Sequence, residues 1–111
     1  MSAKSRRWQK RIVGPWQGRM WTAYRVLDET DCEHLDQLMR GSCSTDTGKI
    51  TFRAQDRDGE LLVLIHEMIH TGQTRLYDTA ARPEVDNLAV AIKSGLEAFG
   101  VDLSPMLRGY K

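Results

Sequence analysis

His66, Glu67 and His70 stand within one short run, LLVLIHEMIHTGQ (61–73), among Leu, Val, Ile and Met. Imidazole and carboxylate groups in such apolar company must be paired, hydrogen-bonded or bound to a metal, because an uncompensated buried charge costs several kcal/mol. If the run is helical, His66 and His70 at i and i+4 share one face, about 6 Å apart along the axis. That separation lets two imidazole nitrogens converge on one ion at ~2.0 to 2.1 Å. Glu67, turned by about 100°, lies beside such an ion, where it can hold a water and take its proton. Average residue usage produces HExxH by chance in well under about 1% of chains this long, and on an apolar helix less often still.

A catalytic zinc normally takes three protein ligands and keeps one position open. The only other histidine, His34, lies upstream, so the candidates for a third ligand are the carboxylates of YDTAARPEVDNLAVAIKSGLEAFG: Asp78, Glu84 and Asp86. In that stretch Val85, Leu88, Ala89, Ile92, Leu96 and Phe99 recur at helical intervals, with Pro83 suited to the first turn, which predicts a helix with those residues as its core face. Glu84 shares its side with Leu88, Ala91 and Gly95, whose size lets the two helices approach closely. Asp86 shares its side with Val90, Lys93 and Glu97, mainly a solvent face. Glu84 is therefore the expected third ligand. Asp86 is the runner-up, or a carboxylate that orients a histidine from outside, and Asp78, in the connection, comes last.

Periodicity supplies the elements that position these groups. The HExxH helix is expected from about Glu60 to Thr71, started by DRDG and stopped by Gly72, and it is apolar almost all round, as a helix buried between other elements is. KITFRAQ (49–55) alternates Ile50, Phe52 and Ala54 with Lys49, Thr51 and Arg53, the pattern of a half-buried strand. WTAYRVLDET (21–30) reads as another strand, DETDCEHLDQLMRG as a short helix ending near Gly41, and GSCSTDTG as a turn. The expected fold class is α+β: a small domain with a two- to four-stranded sheet packed on the HExxH helix, plus two further helices.

A chain of 111 residues has room for about one core. With 28% charged and 41% hydrophobic residues and no apolar run of the ~18 residues needed to span a bilayer, the expectation is a soluble domain without a membrane partner. The N-terminal MSAKSRRWQKRIVGPW lacks a signal-like apolar core, so cytoplasmic residence is the default. Cys32 and Cys43 are expected as free thiols. Cys32, His34 and Cys43 are three soft ligands close together, but no CxxC pair or fourth ligand accompanies them as a structural zinc site would require. Charge is uneven: residues 1–25 carry seven Lys or Arg and no acid, leaving nine bases against fifteen acids beyond, a net −6. This divides the chain into a basic arm (1–22), a central domain (23–100) and a tail (101–111) that either frays or folds over the cleft. Trp8, Trp16 and Trp21 give the arm rings for stacking on bases beside charges for phosphates, so nucleic acid or an anionic assembly is a candidate partner. The plainer expectation is a partly disordered arm with some tryptophans folded onto the domain.

HExxH followed by a glutamate on the next helix resembles the gluzincin clan of zinc metallopeptidases, in particular minimal forms of about a hundred residues such as small phage-type and SprT-like domains. The resemblance covers roughly residues 48–99. It implies a zincin-like domain holding one zinc ion per chain, with His66, His70 and Glu84 as ligands and Glu67 as general base. It also implies that the strand before the helix (49–55) rims the cleft and pairs with extended substrate. Larger members stabilise the oxyanion with a further His or Tyr; Tyr77, and after it Tyr110, are the residues available here. The activity implied is hydrolysis of peptide bonds in peptides or unfolded protein. The alternative is a zinc-containing binding module, catalytically weak or inactive, that uses its basic arm to hold nucleic acid or a protein assembly.

Overall fold

The computed structural model describes residues 8–16, 18–27, 41–44, 46–71 and 82–111, with backbone only at residues 82 and 83. Four strands, β1 (Trp8–Trp16), β2 (Arg19–Val26), β3 (Gly41–Ser44) and β4 (Lys49–Arg53), make one sheet in the order β1-β2-β4-β3. Helices α1 (Arg57–Thr71) and α2 (Arg82–Ala98) and a 3₁₀ turn (Ser104–Leu107) complete an α+β domain. β1 and β3 run antiparallel to their neighbours, whereas β2 and β4 are parallel. Among the described residues no helix is long and apolar enough to cross a membrane.

Residues expected to be an arm are built into the sheet from Trp8 onward, and the expected boundary between 22 and 23 falls inside β2. The hairpin turns at Gly18, whose φ of 76° suits a residue without Cβ. Two tryptophans secure it. Trp16 and Trp21 stack with centroids 4.9 Å apart, Trp21 Nε1 donates to the Trp16 carbonyl at 2.8 Å, and Trp16 Nε1 donates to Thr71 Oγ1 at the end of α1 at 3.1 Å. Both indole N–H groups are thereby satisfied. GSCS, expected as turn, is a strand at the sheet edge among the described residues because β4 offers it a ladder; residues 46–48 form a turn.

Asp56 starts α1 by accepting the Gly59 N–H at 2.9 Å through Oδ1, an N-cap bond that begins the helix three residues before the expected Glu60. Glu60 is 2% exposed. Its Oε2 accepts from Arg25 Nε and Nη2, both at 2.8 Å, and from the Gln55 N–H at 3.1 Å, which fastens the start of α1 to the sheet. One core cluster, Trp21, Ala23, Ile50, Phe52, Val63 and Leu64, lies between the sheet and α1. A second, Leu61, Ile65, Ala89 and Leu103, joins α1, α2 and the chain end.

α2 departs from the expected core face. Val85 and Ala89 are buried, but Leu88, Ile92, Leu96 and Phe99 are 38–89% exposed. The apolar stripe is wider than the contact with α1 covers. The tail is ordered against the body: Lys10 and Lys111 exchange backbone N–H···O bonds of 2.9 and 3.0 Å, and Tyr110 Oη donates to the Met106 carbonyl. It packs on Leu61 and Ile65, and so lies over the face of α1 turned away from the histidines. The helix expected near residues 31–40 lies outside the described residues.

Candidate metal centre

Val63, His66, Glu67 and His70 recur at i, i+3, i+4 and i+7, so α1 presents them on one face. Leu61, Leu64 and Ile65 point the other way into the two clusters and hold the helix in place. Geometry then brings four polar groups together. His66 Nε2 and His70 Nε2 approach to 3.0 Å, His66 Nδ1 lies 2.7 Å from Asp86 Oδ1, and Glu67 Oε2 lies 3.9 Å from His66 Nε2. The His66 side chain is 16% exposed and that of Glu67 8%.

This network fixes the tautomer of His66. A carboxylate beside Nδ1 requires the proton there, so Nδ1–H donates to Asp86 and Nε2 keeps its lone pair toward His70. The two Nε2 atoms face each other at 3.0 Å. Two nitrogens each ~2.0 to 2.1 Å from one tetrahedral ion would stand about 3.3 Å apart. The pair is thus within a few tenths of an ångström of the spacing that a shared cation needs, with its orienting carboxylate in place. The donor chemistry fits zinc for two ligands, the residue that orients one of them, and an adjacent base.

The remaining carboxylates are placed differently. Val85, fully buried, points into the α1 contact, and at about 100° per residue Asp86 and Glu84 flank it on opposite sides. Asp86 takes the histidine side; Glu84 is exposed, and the structure does not bring it to the imidazoles. The sequence argument favoured Glu84 because Leu88, Ala91 and Gly95 share its side, but that stripe is exposed and a Cβ at Gly95 would meet nothing within 4 Å. Among the described residues no group of three or more His, Cys, Asp or Glu side chains is arranged so that all of them could hold one metal ion. Asp78, Tyr77, Cys32 and His34 lie outside the described residues. Tyr110 sits on the far side of α1, its ring edge-on to Phe52 at 5.4 Å and its hydroxyl pushed up in pKa by burial.

β3 forms the wall beside Glu67. A Cβ at Gly41 would lie 3.1 Å from Glu67 Oε2 and 2.5 Å from Val63 Cγ1, so the glycine makes room for the carboxylate. Sequence reasoning took this glycine only as the stop of a preceding helix. Cys43, two residues on and on the same face of β3, is a free thiol. Burial, then the negative charge of Glu67, pushes its pKa up to about 11. It is a neutral, half-buried neighbour of the site. β4, expected as the cleft rim, is internal, with both edges taken by β2 and β3; among the described residues the sheet edge beside Glu67 is β3. Comparison of the chain with models of protein families, with characterised proteins and with solved structures gives no match.

Proposed function

We propose that the chain is a zinc-dependent peptidase with a zincin-like site, in which His66 and His70 hold the ion through Nε2 and Glu67 is the general base. The observation that carries the reading is the convergence of the two Nε2 atoms at 3.0 Å with Asp86 bonded to the outer nitrogen of His66. A bound zinc supplies Lewis acidity, lowering the pKa of water and polarising a carbonyl oxygen. Glu67 takes a proton from the attacking water and passes it to the leaving amide nitrogen. Asp86 keeps the Nε2 lone pair of His66 aimed inward by accepting at Nδ1. β3 ends the sheet among the described residues, and pairing of an extended peptide along it would bring the scissile bond past Glu67. The sequence draws a third ligand from Asp78, Glu84 and Asp86; with Asp86 engaged at His66 Nδ1 and Glu84 across Val85 from the histidines, Asp78 is the favoured carboxylate.

Metal analysis tests this directly: the purified chain should carry about one zinc, lost in His66→Ala and His70→Ala and kept in Cys43→Ala. A zinc-replete preparation that holds no metal would remove the proposal.

One further observation favours the binding-module alternative. Strand parity puts Trp8, Lys10, Ile12, Tyr24, Lys49 and Arg53 on the sheet face away from α1, and none of the strand residues sharing that face is acidic. Trp8 meets Tyr24 edge-on at 5.3 Å, and Lys49 Nζ lies 5.5 Å from the Tyr24 centroid. Rings among cations are what a single-stranded nucleic acid stacks on. Affinity for an oligonucleotide that falls with salt and is lost in Lys10→Glu/Lys49→Glu, with no hydrolysis dependent on Glu67, would favour this reading over the peptidase.

A further inference from the structure

Behind α1, on the side opposite the histidines, the domain contains a half-open cavity of about 200 Å³. Ala23, Ile50 and Leu64 make its floor, all 4% exposed or less. The small Ala23 side chain gives the cavity its depth between two larger neighbours. Arg11, Met68 and Pro105 stand at the opening, and apart from the guanidinium of Arg11 the lining side chains are apolar or aromatic.

Arg11 decides what kind of molecule suits it. Its Nη1 donates to the Pro105 carbonyl at 2.7 Å and its guanidinium carbon lies 5.9 Å from the Tyr110 centroid, so the group is held over the opening by the chain end. Beside that bond the guanidinium hydrogen-bonds the Tyr110 side chain, and with five N–H donors it keeps others for a ligand. Among the described residues no carboxylate pairs with it. An apolar well with a fixed, acid-free guanidinium at the mouth is complementary to an aliphatic tail that ends in a carboxylate. Size sets the tail: a cavity of about 150 Å³ takes benzene, so this one takes about seven or eight carbons.

We propose that this cavity binds medium-chain aliphatic carboxylates, tail down against Ala23, Ile50 and Leu64 and head group on Arg11. The site is separate from the metal centre and does not rest on the peptidase reading. It touches α1 through Leu64 and Met68, and Met68 lies within the HExxH run.

Octanoate is the probe, with octanol as its neutral counterpart, and both are titrated into the full chain carrying ¹³C-methyl methionine. Met68 and Met106 line the cavity, whereas Met20 is exposed on the opposite sheet face. Octanoate should shift the Met68 and Met106 methyls and spare Met20, with Kd below about 1 mM for a ligand of this size. It should bind about tenfold tighter than octanol, and Arg11→Gln should remove that preference while leaving octanol binding unchanged. Ala23→Leu, which fills the floor, should abolish both; circular dichroism and a cooperative thermal melt report that each variant is folded. Absence of a shift at Met68 and Met106 up to 10-fold above about 1 mM, or equal binding of acid and alcohol in the parent chain, overturns the proposal.

Discussion

Asp86 is the carboxylate through which the proposed metal centre can be tested most finely. Its Oδ1 takes the Nδ1 proton of His66 at 2.7 Å, and its side chain is 66% exposed. Removing a carboxylate that orients a metal-bound histidine typically costs 10- to 100-fold in affinity. Exposure decides where in that range this site falls, since water screens the charge and can replace part of the bond. Asp86→Ala should therefore weaken zinc binding by about tenfold, or about 1.4 kcal/mol. Asp86→Asn keeps an acceptor but loses the charge, and should cost about threefold. Glu84→Ala, across Val85 from the histidines, should stay within about twofold of the parent. Competition for zinc against a chromogenic chelator gives all four constants, with circular dichroism to confirm that the helices persist. An unchanged constant for Asp86→Ala, or a larger loss for Glu84→Ala, would refute the assignment and return the third ligand to Glu84.

Other consequences follow from neighbouring residues. Cys43, with its pKa pushed up to about 11, should react with iodoacetamide at pH 8 roughly two-hundredfold more slowly than a free cysteine of pKa about 8.5. The rate should climb about tenfold per pH unit toward pH 10 and rise at fixed pH in Glu67→Gln, which removes the adjacent charge. Because the folded pKa is raised, the thiol's contribution to stability is present below the unfolded pKa and declines as pH rises through about 11. Gly41→Val places carbon atoms against Val63 and the Glu67 carboxylate; it should destabilise the fold by about 1–3 kcal/mol in urea melts and lower hydrolysis beyond that loss. Glu60→Gln should cost about 2 kcal/mol, since a buried carboxylate accepting three hydrogen bonds becomes an amide that cannot reproduce them; a melt within 0.5 kcal/mol of the parent, about the scatter of neutral surface changes, would deny Glu60 its fastening role.

The HExxH helix was legible because two independent signals agreed: i, i+4 imidazoles, and an apolar run ending near Gly72. β2 and β4 were legible from alternation. β1 was not, because WQKRIVGPW interrupts its alternation with Gly14 and Pro15 and runs Gln9, Lys10 and Arg11 together; only pairing with β2, across a register shift between Ile12 and Gly14, makes it a strand. GSCS has no strand signal of its own and takes its conformation from β4. The face of α2 that meets α1 was only partly legible for a related reason. Its apolar stripe extends past Val85 and Ala89 to Leu88 and Phe99, so periodicity gives the width of the greasy face but not which part meets α1. That ambiguity put Glu84 first, whereas it is Asp86, the runner-up and expected orienting carboxylate, that meets His66.

The central claim stands or falls on Glu67. Its carboxylate is buried between β3 and the imidazoles, where a proton acceptor for water belongs, and Gln is the same size without the basicity. Hydrolysis of an unfolded protein by the zinc-loaded parent chain and by zinc-loaded Glu67→Gln, at matched metal content, is the decisive measurement. The account predicts cleavage by the parent and a loss of at least about a hundredfold in the variant, with one zinc retained in each. Equal cleavage by both, or none by either, would contradict it.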